Sequence, residues 1–411
     1  MEALQPASAY FAAAETANYT FMRIAIISDL TGWSWAGCEE LWAALAKSAL
    51  EAGHQVALFL AREDVPAGKL QPLEKLGIEL HLPGPGERIV SRVRRQVSWK
   101  AASIVAPLFP PFTGVRKFAP DVVFISAGDA LPNTLFLSQI ERSGALEFPY
   151  VLICHNSYLF GRPAENSERE RAVRYYRGAR RVLFVAERTR METEHLLAAK
   201  LPQARIVRNP VNMADLSPVP MPATSTVHIA STGRLAINSK GQDILLAALG
   251  SPELQSRDWK LSIYGTGPDV EHLKLLAQHY GIAEKVSFKG YTNEVRAIWA
   301  EHHLLALPSR VESAPLVLVE AMLCGRPSVV NDVGGVGEWA SEPETGFVSC
   351  GSQIESFRAC LERAWSARSE WTSIGQRARE KALRMLDPDP GGTALKILEE
   401  VRAEPVRVAA N

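Results

Sequence analysis

Short, unbroken apolar runs alternate along this chain with longer segments whose apolar residues recur at helical spacing. In the first half the short runs fall at 23–28, 55–60, 121–126, 150–154 and 181–185, and a helical segment at 37–52 is ended by Gly53. Strands that are apolar on both faces and separated by helices belong to a parallel sheet covered on each side. The first half therefore predicts one doubly wound α/β domain. A turn-rich stretch follows, Asn209-Pro-Val-Asn212 and then Ser217-Pro-Val-Pro-Met-Pro222, with three prolines in its last six residues. Such composition makes a stiff linker. The rhythm then restarts, with strands at 227–231, 260–264, 285–288, 303–307 and 327–330. Helices are expected at 240–249, 269–280, 315–324, 353–366 and 369–385, and a last one at 391–403, long enough to reach back toward the first domain.

The division expected is a disordered lead at 1–21, a first domain at 22–212, a linker at 213–225, a second domain at 226–385 and a returning C-terminal helix within 386–411. Two doubly wound domains that face each other bring the C-terminal ends of their strands, and so their binding loops, to one central cleft. That geometry suits a two-part substrate.

Composition agrees with large soluble cores: 47% hydrophobic and 22% charged residues in a chain of 411. Lys plus Arg equals Asp plus Glu at 45 each, so bulk charge points away from nucleic acid. Cys38, Cys154, Cys324, Cys350 and Cys360 form no C-x-x-C pair, which argues against a disulfide framework or structural zinc and for a reducing cytoplasmic setting. The Ala-rich start lacks the layout of a signal peptide, and no run is long and apolar enough to span a bilayer.

Three places carry candidate chemistry. Glu312 lies in the loop before the 315–324 helix and Glu320 inside it, with Pro315 placed at the first helical turn. A loop carboxylate beside a helix N-terminus, with free amides at Ala314, Pro315's neighbour Leu316 and their vicinity, can grip sugar hydroxyls. A carboxylate deeper in the cleft can accept from both hydroxyls of a ribose diol. The competing reading is a capped surface helix with two ordinary glutamates. Gly233, Arg234 and then Lys240 follow a strand end, and two cations converging on such a turn suit a diphosphate; the alternative is a pair of solvated cations. The first strand-to-helix loop, with Trp33, Trp35 and Gly37, occupies the usual position of phosphate approach, its tryptophans serving either as a sugar-stacking wall or as core.

Taken in order, Gly233-Arg234, Lys240-Gly241, Gly265-Thr-Gly267-Pro268, Glu312 to Glu320, Ala321-Met-Leu-Cys-Gly325-Arg-Pro327 and Gly334-Gly-Val-Gly-Glu338 resemble the family 4 glycosyltransferases over about residues 22–385. The resemblance implies a GT-B fold and retaining transfer from a nucleotide-sugar donor to a sugar, glycolipid or other hydroxyl acceptor, with no cofactor and no metal required. It implies that Arg234 and Lys240 hold the diphosphate and Glu320 the ribose. Glu312, with the amides near Ala314, Pro315 and Leu316, would hold the transferred sugar. Gly37 would approach the phosphates from the other domain, and His155 would sit near the donor sugar. The chain departs from the family at Ala36, where Gly is common, and at Ser313, Pro210 and Asn212, which puts substrate details in question.

A dehydrogenase is the first rival, but Tyr264-Gly-Thr-Gly267 lacks the third glycine of a dinucleotide loop, Val270 standing in its place. A non-catalytic sugar- or nucleotide-binding paralogue is the second. Residues 88–117 carry Arg88, Arg92, Arg94, Arg95, Lys100, Arg116 and Lys117 with no acidic residue. This segment either rests on an anionic membrane at the inner face, as a peripheral contact, or is a solvated basic helix.

Overall fold

The computed structural model describes residues 21–28, 35, 37–60, 65, 67–82, 112, 114–131, 134–156 and 165–405. Two parallel sheets organise it. The first has the order β3-β2-β1-β4-β5-β6-β7, from β1 (Arg23–Ser28), β2 (Gln55–Leu60), β3 (Glu79–His81), β4 (Val122–Asp129), β5 (Tyr150–Asn156), β6 (Arg181–Phe184) and β7 (Ala204–Ile206). The second has the order β10-β9-β8-β11-β12-β13, from β8 (Val227–Thr232), β9 (Trp259–Tyr264), β10 (Val286–Gly290), β11 (Leu304–Leu307), β12 (Ser328–Asn331) and β13 (Phe347–Ser349).

Successive side chains of a strand point to opposite faces, and both faces of these sheets are covered. In β1, Ile24 and Ile26 enter one core while Ala25 and Ile27 enter the other. In β8, Ile229 and Ala230 divide in the same way. This is why the strands read as continuous apolar runs. Each sheet reverses its strand order once, between β1 and β4 and between β8 and β11, and ligands of such sheets bind at the strand C-termini there.

Several expected bounds shift. The strands expected at 121–126 and 150–154 extend to Asp129 and Asn156. The helix expected at 240–249 is broken into Ile237–Lys240 and Gln242–Leu249 by Gly241. Gly241 takes a φ of 64°, and a Cβ there would lie 2.1 Å from the Pro308 carbonyl oxygen, so only glycine lets the two loops close up. Pro315 stands at the N-cap of the helix Leu316–Leu323, in an extended conformation, and not within its first turn.

The last helix, Pro390–Ala403, packs on the helix Gly37–Glu51 of the first domain. Ala394, Leu395, Ile397, Leu398 and Val401 join Trp42 and Leu45 in one core. Asp389 caps this helix by accepting from the Gly392 amide at 2.9 Å. Arg205 Nη1 meets Glu400 Oε2 at 2.7 Å, and Arg181 pairs with Glu404.

The linker is docked on the second domain along much of its length. Val219 is buried there, with Met213 and Leu216 packed beside it. Arg326, 1% exposed, donates to the carbonyls of Val219 (3.0 Å) and Pro220 (2.6 Å), and also to those of Trp299, His302 and Cys324. Arg296 Nη1 adds bonds to the carbonyls of Asp215 and Ser217 at 3.0 and 2.7 Å.

Of the lead expected at 1–21, all but Phe21 lies outside the described residues, as do Trp33 and most of the basic segment 88–117. From that segment's end, Val115 is buried and Arg116 pairs with Glu147. No described helix is long and apolar enough to cross a membrane.

Candidate functional site

The loops after β8 and β11 leave neighbouring strands at the point where the second sheet reverses its order. Gly233, Arg234 and Lys240 come from the first loop and Glu312 from the second. The Lys240 side chain runs past Gly233, whose Cβ, if it had one, would lie 3.8 Å from Lys240 Cδ. Lys240 Nζ then donates to Glu312 Oε1 at 2.6 Å, and Ser309 Oγ donates to the same oxygen at 2.7 Å. The Glu312 side chain is 7% exposed, so this charge-assisted pair works in a medium poorer in water than the surface. Burial draws the Arg234 guanidinium below its ordinary pKa, and the charge of Asp269 opposes that shift.

The two loops are fastened to each other by residues that carried no sequence signal. Arg310 grips Asp243 with two parallel bonds of 2.7 and 2.8 Å and donates to the Ile237 carbonyl. The amides of Arg310 and Val311 both donate to the Ser239 carbonyl. Asn331 Nδ2, from the end of β12, holds the carbonyls of Pro308 and Ser309 at 2.8 and 3.0 Å. From underneath, the glycine turn 334–335 supports Glu312. A Cβ on Gly334, at φ 50°, would fall 1.5 Å from the Glu312 carbonyl oxygen.

The helix Leu316–Leu323 aims its N-terminus at the first domain. Ala314 packs against that domain's core. Leu316 Cδ1 lies 3.3 Å from where a Cβ on Gly37 would be, so the N-terminal turns of the two helices lie against each other. Glu320 lies one turn further in. Burial first, and the charge of Glu40 second, raise its carboxyl to about 7, while hydrogen bonds from Asn212 act in the opposite sense. Glu40 is itself taken by Trp35 Nε1 at 2.8 Å and Lys69 Nζ at 2.6 Å. Trp35 packs edge-on against Trp42 at 5.3 Å, which makes it a core-edge residue.

His155, from the end of β5, is 5% exposed, and its Nε2 has no hydrogen-bond partner among the described residues. Burial lowers its pKa to about 3, so the ring is neutral at any ordinary pH. Next to it, Asn156 Oδ1 accepts from Ser313 Oγ at 2.7 Å, a direct bond between the domains. Ser313, a departure from the family pattern, thus has a structural partner. Of the site residues expected from the sequence, Gly37 and His155 belong to the first domain and the others to the second; the structure brings Lys240 to Glu312 and Leu316 to Gly37.

Residues 226–366 match the family model described as glycosyl transferases group 1. The match lies within the second domain. An uncharacterized glycosyltransferase of Haemophilus influenzae is 37% identical over 128 residues, 31% of this chain and 36% of that protein. A GDP-mannose-dependent alpha-(1-6)-phosphatidylinositol monomannoside mannosyltransferase of Mycolicibacterium smegmatis is 36% identical over 133 residues, 30% of this chain and 34% of that protein. The matches thus span about a third of the length of these curated relatives. In fold, the whole chain resembles HepE of Anabaena, solved in complex with UDP-glucose. The TM-score is 0.70 at 18% identity, covering 92% of this chain and 100% of that one. The match over residues 226–366 speaks against the dehydrogenase reading.

The buried carboxyl of the second domain has a consequence for stability. The folded-state pKa of Glu320 lies above its ordinary 4.5, so the folded chain holds this proton more tightly than the unfolded chain does. The resulting stability is complete below the ordinary value and is lost as pH rises through about 7. His155, with its pKa depressed from 6.5 to about 3, contributes the opposite slope at lower pH. Glu320→Gln is therefore expected to make the slope of stability against pH more positive than the parent's between about pH 5 and pH 7. The share is on the order of 3 kcal/mol at most. Identical pH slopes in the two proteins would exclude the raised carboxyl.

Proposed function

We propose that the chain is a retaining glycosyltransferase. It would move a sugar from a nucleoside-diphosphate donor to an acceptor hydroxyl, in the synthesis of a polysaccharide, glycan or glycolipid. The observation that carries this reading is the Lys240–Glu312 pair at the switch point of the sheet within the stretch that matches the group 1 family model.

In this scheme the diphosphate lies against the Gly233–Arg234 turn and Lys240, and the amides at 314–316 and Gly37 approach it from the two helix N-termini. Glu320 receives the ribose hydroxyls. Glu312, already oriented by Lys240 and Ser309, accepts from hydroxyls of the transferred sugar. The neutral His155 ring offers a hydrogen bond to the donor sugar from the first domain. As the bond from the anomeric carbon to the phosphate oxygen breaks, its electron pair leaves with the diphosphate. The acceptor oxygen bonds to that carbon on the same face, and its proton passes to the departing phosphate oxygen. The protein's main contribution is positive charge fixed in advance where negative charge grows. Arg234 and Lys240 supply it, and the scheme requires no metal.

UDP-glucose is bound in the HepE structure, and the mycobacterial relative is named for GDP-mannose, so donors of both bases belong in the test. Purified protein is incubated with UDP- and GDP-linked hexoses and N-acetylhexosamines, with free sugars and glycolipids as acceptors. Release of nucleoside diphosphate and thermal shift are both read. One donor is expected to raise Tm and release its nucleotide, with the α anomeric configuration kept in the product by NMR. Binding without turnover would identify a non-catalytic paralogue. No binding by any donor would overturn the site assignment, and an inverted product would overturn retention.

A further inference from the structure

Glu338 ends the Gly334-Gly-Val-Gly-Glu338 stretch, and the scheme above gives it no task. Its carboxylate is spent on the other domain. Oε1 accepts from the backbone amide of Glu187 at 2.6 Å, and Oε2 accepts from Arg208 Nη1 at 2.8 Å. Glu187 begins the helix Glu187–Leu197, which follows β6 at the cleft end of the first sheet. The N-cap position of that helix is Ala186, which has no side chain able to cap it. A carboxylate at a helix N-terminus satisfies an orphan amide and meets the positive end of the helix dipole. The second domain thus supplies the cap that the first domain's helix lacks. The Arg208 guanidinium also lies over the Trp339 ring, 5.3 Å from its centroid, and Arg188 Nη1 reaches Asp332 Oδ1 at 2.8 Å.

The same turn touches the donor side. The Gly335 amide donates to the Ser313 carbonyl at 2.8 Å. A Cβ on Gly335 would lie 2.2 Å from that carbonyl oxygen and 2.6 Å from Ala186 Cβ, so glycine lets three segments meet at one point. Within five residues, the chain supports the Glu312 loop from below and seizes the first domain's helix.

We propose that Glu338 is a positioning residue: by capping the 187–197 helix and pairing with Arg208 across the domain boundary, it holds the first domain's cleft loops over the Glu312 site. The kinetic part of this inference rests on the glycosyl transfer proposed above; the structural part does not. Loss of the latch lowers the fraction of molecules in the competent arrangement. Apparent affinity falls by that fraction, while turnover at saturation is kept.

The experiment compares Glu338→Ala, Glu338→Gln and Arg208→Ala with the parent. Hydrogen exchange at the Glu187 amide and small-angle scattering are measured without substrate, and KM and kcat with the active donor. In Glu338→Ala the Glu187 amide is expected to lose protection and the radius of gyration to rise. KM rises roughly tenfold with kcat nearly unchanged. Glu338→Gln, which keeps an acceptor for the amide, is expected to retain that protection and to fall between parent and Glu338→Ala in KM. A fall in kcat at constant KM, the mark of a smaller folded fraction, would overturn the proposal. Unchanged exchange and scattering would overturn it equally. If the parent transfers from no donor, the function reading fails, and exchange and scattering still decide the latch.

Discussion

Lys240→Ala is expected to lower kcat/KM for glycosyl transfer by roughly two to three orders of magnitude, the range seen when one preorganised contact to a developing anion is removed. Two losses act together. The diphosphate loses a cation placed in advance, and Glu312 loses the partner that Lys240 gives it at 2.6 Å. A buried carboxylate stripped of its cation is costly and turns toward other donors, Ser309 first. The sugar-binding geometry therefore fails along with the phosphate contact. Lys240→Ala and Glu312→Gln should consequently be far from additive, because each removes what the other is for. Far-UV circular dichroism should stay at the parent spectrum, since Lys240 ends a short helix and touches no core cluster. Parent-level kcat/KM in Lys240→Ala would take this lysine out of the donor site.

The largest effect on stability is expected from Arg326→Leu, a loss of on the order of 3–5 kcal/mol. The guanidinium is 1% exposed and donates to the carbonyls of Val219, Pro220, Trp299, His302 and Cys324. Burial pulls its pKa down to about 10, so it remains charged at neutral pH. Leucine has similar bulk but takes a donor away from five carbonyl oxygens in a closed space, and a group left unpaired there costs about 1–3 kcal/mol before relaxation. Arg326→Lys should recover little, because an ammonium cannot reproduce a planar fork that reaches several carbonyls at once. Urea unfolding followed by tryptophan fluorescence reads the result. A midpoint equal to the parent's would show that the linker needs no such staple.

The two sheets were legible in the chain because parallel strands buried on both faces leave unbroken apolar runs. The edge strands β3, β7 and β13 were not. Each has only three residues, Glu-Leu-His, Ala-Arg-Ile and Phe-Val-Ser, too few to show a period, and β3 and β7 have no buried position. The break in the 240–249 helix was also hidden, since Gly241 answers to the Pro308 carbonyl from another loop. The turns that bring Lys240 and Glu312 together could be found because strand-to-helix turns mark where ligands of such folds approach. Arg310 and Asn331 could not, because their importance lies in whom they touch. Glu338 appeared only as the end of a glycine-rich turn. Its partners stand 151 and 130 positions away, and no local pattern announces them.

The helix Pro390–Ala403 completes the apolar core beneath β1 and β2. On the ribosome, that helix emerges only after the entire second domain has been made. Until then, the face of the 37–51 helix that receives Leu395, Leu398 and Val401 lacks that cover. The first domain is thus translated before the second and completed after it, and the nascent chain carries an open apolar surface in between. Chaperone demand should therefore fall once that helix has emerged and docked on the 37–51 helix.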